Sequence, residues 1–325
     1  MSRFRYQQSV TLSILAFLGV LALPSPARAQ YLGHNFHGDF GVNSGTLPGP
    51  GFYFVIPFGQ WNMDQVRDAD GNQVLPRLFQ GLDLRLVPST AIVVTPKKLL
   101  GANYGFTVTV PFSTVRPERA TLQEGESGWG LHDLYVVPLQ LSWHAKQADF
   151  VAGYGFFAPT GRYEADPPEG EENIGLGMWS HEIQFGTTVF LDPAKKFSAA
   201  TTAYVEFHSK KKDQDLMVGN LLTLEGGFAY NVPKIGGAFG VGYFLQNKLG
   251  HDTGSDVPLV PLRLLNLYGH NKLFGIGPDV TMAVFSKGRT IGLVNVRYLW
   301  ESAGKSSFQG STFVVGFTIA RPKAP

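Results

Sequence analysis

Asn103-Tyr104-Gly105-Phe106-Thr107-Val108-Thr109-Val110-Pro111-Phe112 places an apolar side chain at every even position and a small or polar residue at every odd one. That period of two is the signature of a β-strand with one oily face. The pattern recurs outward along the chain. Tyr135, Val137, Leu139, Leu141 and Trp143 alternate with Gln140, Ser142 and His144. Trp179, His181, Ile183, Phe185, Thr187 and Val189 alternate with Ser180, Glu182, Gln184 and Gly186. Later copies centre on Leu222–Tyr230 and Phe313–Ile319. A soluble β-sandwich also alternates, but these segments run to roughly ten to fourteen residues, the length a tilted membrane-crossing strand needs. Trp143, Trp179, Tyr298 and Trp300 fall near segment ends, where a headgroup girdle sits. The face opposite the oily one carries Asp83, Arg85, Glu182, Gln184, Glu206, Glu225, Asp279 and Arg297. Such groups are ruinous in a dry sandwich core and ordinary in a wet lumen. The fold class expected is all-β: a transmembrane antiparallel up-and-down β-barrel.

The connections support a barrel and orient it. Tight turns at 97–101, 145–147, 192–195, 232–234 and 286–288 alternate with long segments near 62–75, 114–130, 160–177 and 250–271. The stretches 210–217 and 302–307 are of middle length. Short periplasmic turns and long extracellular loops are the asymmetry of outer-membrane barrels. The count is 12 strands, near 51–61, 76–96, 102–113, 131–144, 148–159, 178–191, 196–209, 218–231, 236–249, 272–285, 289–301 and 308–320. An even count puts both ends of the barrel on the periplasmic side. The leucine-rich stretch Pro258–Leu267 is read as an apolar extracellular loop folding over the mouth; a strand there would raise the count to 14.

Ahead of the barrel, Arg3 and Arg5 precede an unbroken apolar run from Val10 to Leu23, followed by Ala27-Arg28-Ala29. A charged start, a short apolar stretch and an A-x-A site describe a cleaved secretory signal, residues 1–29, too short to span a membrane. The chain is therefore expected in the outer membrane of a Gram-negative bacterium. Removing the signal removes three arginines and no acids, leaving 24 basic and 25 acidic side chains. The net positive charge thus belongs to the signal and argues no nucleic-acid affinity. There is no cysteine, so an exported chain of this size holds together without a disulfide. No later apolar run reaches 18 residues, which argues against an inner-membrane helical protein. Residues 30–49, glycine-rich with His34 and His37, fit no strand. Two placements stay open for them, a small plug in the lumen or a free periplasmic segment. Residues 50–320 make the barrel and 321–325 a periplasmic tail.

Several blocks resemble the meta-pathway phenol-degradation family of outer-membrane proteins. They are Gly130-Leu131-His132-Asp133-Leu134 with Pro138-Leu139-Gln140-Leu141-Ser142-Trp143, Gly153–Tyr163, Asn173–Gly177 with Trp179–Glu182, Asp213–Gly219 with Leu224–Gly227, Phe274–Pro278, and Arg67–Asn72. The resemblance runs over nearly all of the mature chain. It implies a barrel encoded near aromatic-catabolism genes that passes small hydrophobic or aromatic solutes passively, and more distantly it suggests the long-chain fatty-acid and toluene channels. The implied partners are outer-membrane lipid, lipopolysaccharide and the barrel-assembly machinery. One departure is the C-terminus, which lacks the usual final aromatic residue and leaves Phe317 as the nearest substitute.

Glu182, Glu206 and Glu225 fall mid-segment on three consecutive strands about 4.8 Å apart, so a carboxylate cluster on one wall is expected. Arg85 and Arg297, on other strands, are expected to face it across the lumen. Such a set makes either a constriction whose field selects solutes or a salt-bridged filling that stiffens a narrow barrel; the second is favoured. The runner-up class is an outer-membrane lipid hydrolase or acyl transferase, with a closed structural barrel as a third reading. Ser180 and His181 adjoin but point to opposite faces; His208 and Glu206 share the inner face, two residues apart, and no serine is placed convincingly with them. No metal site, cofactor or nucleic-acid face is expected: Asp68-Ala69-Asp70-Gly71-Asn72 has its glycine too early for a calcium loop.

Overall fold

The computed structural model describes residues 32–74, 81–117, 127–168, 171–232, 235–286 and 289–322; the expected signal peptide lies outside them. Twelve long strands form the wall: β1 (Gly51–Arg67), β3 (Leu82–Leu99), β4 (Ala102–Pro117), β6 (Leu134–His144), β7 (Ala148–Ala158), β8 (Ser180–Phe190), β9 (Phe197–His208), β10 (Leu221–Val232), β11 (Gly237–Lys248), β12 (Lys272–Ser286), β13 (Arg289–Lys305) and β14 (Ser307–Pro322). Two-residue strands β2 (Gln73–Val74) and β5 (Gly130–Leu131) fringe the loop end. Each wall strand pairs antiparallel with its neighbours, and β14 pairs β1 from Gly51↔Pro322 to Arg67↔Ser307, closing the sheet. Closure leaves no open edge, the condition for a sheet to survive in lipid. The segment 302–307, expected to be a loop of middle length, is instead mostly strand. Arg321 and Pro322, placed in the tail by the sequence reading, belong to β14.

The burial pattern is inside-out relative to a soluble protein. Along β8 the buried residues are Ser180, Glu182, Gln184, Gly186 and Thr188, while Ile183 and Phe185 are exposed. Phe228, Phe239, Ile276 and Trp300 are also exposed on outward faces, and burying such side chains in lipid is what drives a barrel into a bilayer. The leucine-rich stretch forms α1 (Leu259–Leu264), not a strand. Leu262 and Leu267 bury against Trp61, Met63, Leu82, Phe244, Leu273, Leu299 and Phe308, so the loop folds over the mouth.

Cross-strand partners share a face, and this register corrects two readings. Trp61 points into the lumen, where its ring meets that of His37. Its partner on β3 is Leu84, and Gly59 pairs Leu86, so Leu82, Leu84 and Leu86 face inward. Asp83 and Arg85 therefore face outward, not into the lumen. They sit where β3 and β4 rise past Thr109, the last β4 residue paired with β6, above the apolar band that ends at Phe112. There Arg85 reaches headgroups and water while Asp83, paired with it, stays covered, and alternation of polarity no longer tells inside from outside. The second correction is a β-bulge at Pro138. Tyr135 and Val137 pair the inward Thr109 and Thr107, yet Gln140 pairs the inward Gly105. Proline cannot donate to the ladder, and the extra residue flips the phase, so the oily face read through Tyr135–Trp143 changes side midway.

Candidate functional site

Residues 32–48 thread the lumen from the loop end to the turn end, then enter β1. Four sets of contacts hold this plug. At the top, the His34 and Asn35 backbone N–H groups donate to the two Glu206 carboxylate oxygens at 2.8 and 3.0 Å. Asn35 Nδ2 donates to Glu182 at 3.0 Å, whose other oxygen accepts from the Tyr135 hydroxyl. On the opposite wall His37 Nε2 lies 3.2 Å from Glu301, which also accepts from Trp61 Nε1 and the Thr312 hydroxyl. Lower down, the buried Arg297 guanidinium donates to Asp279 at 2.7 Å and to the carbonyls of Gly38 and Phe40 at 2.6 and 2.8 Å. Val42 N–H donates to Asp279, and Asp39 N–H to Glu225. At the turn end the Ser44 hydroxyl donates to Thr202 Oγ1 and the Thr46 hydroxyl to Asp149.

The plug can lie this close because of its glycines. Gly41 has φ +48°, and a Cβ there would stand 2.2 Å from both Arg297 Nε and Asp279 Oδ2; only glycine combines that left-handed backbone with that approach. Gly45, φ +74°, sits equally tight on the Thr187 carbonyl.

The predicted inner-face residues divide. Glu182 and Glu206 are direct cross-strand partners, but Glu225 pairs Thr202, four residues below Glu206 along β9. The expected single cluster is thus a pair with an outlier. Gln184 lies inward below Glu182, its Nε2 buried without a hydrogen-bond partner. Arg297 does not face the glutamate pair; it is held by Asp279 and by plug carbonyls. Arg85 pairs Asp83 on its own strand, at 2.6 Å. For Arg297 the physical cause is that an interior arginine seeks carboxylate and carbonyl acceptors within reach, and the plug supplies acceptors that the wall alone does not show; Arg85 simply lies on the other face.

His208 has neighbours that sequence reasoning missed. Its Nδ1 lies 2.7 Å from Ser180 Oγ, which lies 2.7 Å from His34 Nδ1, whose Nε2 lies 2.8 Å from Asp133 Oδ2. Serine, histidine and aspartate thus line up in triad order, contrary to the expectation that no serine stands near His208. Ser180 is fully buried, however, and its hydroxyl is flanked by two imidazoles. Asp133, just ahead of β6, also accepts from the N–H groups of Gly161 and Leu176. Burial opposes its charge, but these bonds and His34 hold its carboxyl below the usual range. Burial pushes the His34 imidazole below the usual histidine range, against the pull of Asp133. Burial likewise pushes the Asp39 carboxyl up to about 6, against the pull of Arg297. The only early signal for this network was His34 with His37 in a segment that fitted no strand; its partners lie more than ninety residues away.

Above the polar wall, the other side of the lumen is oily. Trp61, Met63, Leu82, Phe244, Leu273, Leu299 and Phe308 form one buried cluster with plug residues Leu32 and Phe36 packed against it.

The family described as "Putative MetA-pathway of phenol degradation" matches residues 51–317. A crystal structure of an outer-membrane channel from Pseudomonas putida F1 superposes with TM-score 0.69 at 14% identity, covering 89% of this chain and 100% of that one. The β-domain of the Bordetella autotransporter BrkA gives TM-score 0.45 at 11% identity, over 83% of this chain and 99% of that one. No curated protein shows a significant match to the chain.

Proposed function

The chain belongs to the phenol-degradation family that matches it over residues 51–317, and from that premise we propose that it is a plug-gated outer-membrane channel for passive uptake of small hydrophobic or aromatic compounds. The observation that carries this reading is the oily cluster inside a barrel whose other lumen wall is polar. A dry aromatic and aliphatic lining at the loop end gives an apolar solute a place to leave water. The loop over the mouth supports an entry route. On α1 Leu262 is buried in the cluster while Val260 and Leu264 are 70% and 74% exposed, so an apolar patch outside adjoins an apolar lining inside.

The plug favours a second reading, a closed structural barrel, because it threads the lumen and is bonded to its walls. The two are separated by single-channel conductance and aromatic uptake into vesicles, comparing the full mature chain with one lacking residues 32–48. Passage of toluene or phenol, faster without the plug, supports the channel. No passage by either heat-modifiable barrel supports the closed one. The Asp133–His34–Ser180 relay is the observation that favours a hydrolase. Ester hydrolysis that Ser180→Ala abolishes would establish that enzyme reading in place of the channel.

A further inference from the structure

We propose that His34, Glu206 and His208 form a binding site for a zinc-class divalent cation that clasps the plug to the barrel wall. One nitrogen of each imidazole and one Glu206 oxygen already lie within 4.8 Å of one another. Metal bonds to nitrogen and oxygen of about 2.0–2.2 Å require ligand atoms some 3.3 Å apart, so small side-chain rotations bring the set into range. Two imidazoles and a carboxylate are the donor set of zinc and its first-row neighbours, not of magnesium or calcium.

The supports are independent of that spacing. His208 Nε2 is buried without a hydrogen-bond partner, an arrangement a buried nitrogen rarely tolerates without a ligand. The Ser180 hydroxyl stands 2.7 Å from His208 Nδ1, so it holds that ring by one nitrogen and leaves Nε2 as the one open to a cation. Asp133 grips His34 Nε2 at 2.8 Å, leaving Nδ1, 2.7 Å from the Ser180 hydroxyl, as the nitrogen a cation would take; a carboxylate behind a histidine is the usual outer support of a metal ligand. Glu182 faces Glu206 directly across β8 and β9. Two carboxylates so placed repel unless a proton or a cation offsets their charge.

Glu206 and His208 lie two residues apart on one strand and His34 belongs to the plug, so the cation would close a loop of more than 170 residues. Metal binding and plug docking then become one equilibrium. The test is titration of the full mature chain, purified in detergent without a polyhistidine tag and stripped with chelator, using Zn²⁺, with Co²⁺ as spectroscopic probe and Mg²⁺ as control. The expected result is one equivalent of Zn²⁺ per chain, a rise in unfolding temperature that Mg²⁺ does not give, and a tetrahedral Co²⁺ absorption band. His208→Ala and Glu206→Gln should each lose the equivalent, while His144→Ala, a histidine at the turn end, keeps it. Absence of a stoichiometric equivalent in the wild type overturns the proposal. So does retention of full binding by a heat-modifiable His208→Ala barrel. Heat-modifiability reports folding, and the wild-type stoichiometry decides the matter even where a variant does not fold.

Discussion

Replacing Arg297 by methionine should release the lower half of the plug. The side chain is nearly the same length, so the lost groups are the three donors of the guanidinium. Two of these hold the plug directly, through the Gly38 and Phe40 carbonyls. The third neutralises Asp279, which among the described residues would keep the Val42 N–H and Asn295 Nδ2. Hydrogen bonds to a charged group contribute about 1.5–3 kcal/mol each, and leaving a buried charge without its partner costs about 3–5 kcal/mol. The Asp279 cost falls on docked and undocked barrels alike, so the two plug bonds at the low end of their range set the effect, about 3 kcal/mol. At about 1.4 kcal/mol per factor of ten, the undocked population rises roughly a hundredfold. The natural chain has no cysteine, so Ser44→Cys gives a single thiol at a site only 2% exposed when the plug is docked. Its maleimide labelling rate reports the open fraction when closing outpaces labelling. A rate in the Arg297→Met background within threefold of the parent, in a barrel still heat-modifiable, would refute the view that Arg297 clasps the plug.

Gly41→Ala should undock the same segment, since its Cβ would collide with the Arg297–Asp279 pair, and the Ser44→Cys labelling rate checks it. Asp39→Asn should tighten docking at pH 7 and leave it unchanged near pH 4. The docked Asp39 holds its proton up to about pH 6, so its contribution is full below its ordinary value of 3.8 and is lost as pH rises through 6. Glu225, Tyr204 and Arg297 face it in both proteins, and the ratio of labelling rates at each pH isolates Asp39 from them. Trp61→Ala should weaken aromatic-solute block of conductance about tenfold, the worth of roughly 1.4 kcal/mol of aromatic contact; unchanged block would place the solute elsewhere. Phe228→Arg, on the lipid face of β10 and 61% exposed, should destabilise the barrel by about 2–4 kcal/mol in reversible unfolding from vesicles.

The outer surface was legible in the sequence because lipid imposes one rule on it over many consecutive strands. Phe106, Val110 and Phe112, or Ile183 and Phe185, announce their side without reference to any other part of the chain. The rule stops at the edge of the apolar band, which is why Asp83 and Arg85 were assigned to the wrong face, and it slips at Pro138, where a bulge resets the phase. The inner residues were legible as inner but not as partners. Glu182 and Glu206 could be placed side by side from strand order, whereas the fates of Arg297 and His208 depend on Gly38, Phe40 and His34. Those contacts join a segment without periodicity to strands more than a hundred residues on, and no local pattern encodes them.

The route of the plug sets an order of events for assembly. The first described residues of the chain end up inside a ring whose seam, β1 with β14, joins its most distant parts. A finished cylinder would have to be threaded lengthwise to receive them, past Arg297 and the crowded glutamate pair. A sheet still open along that seam can instead curl around the segment, with His34, His37 and Asp39 taking partners on β8–β10 and β13 as the curvature develops. The leader would then act as a mandrel that sets circumference and registry before the last ladder zips. Barrels lacking residues 32–48 should therefore close more slowly or with more mispaired seams, even where the finished product is stable.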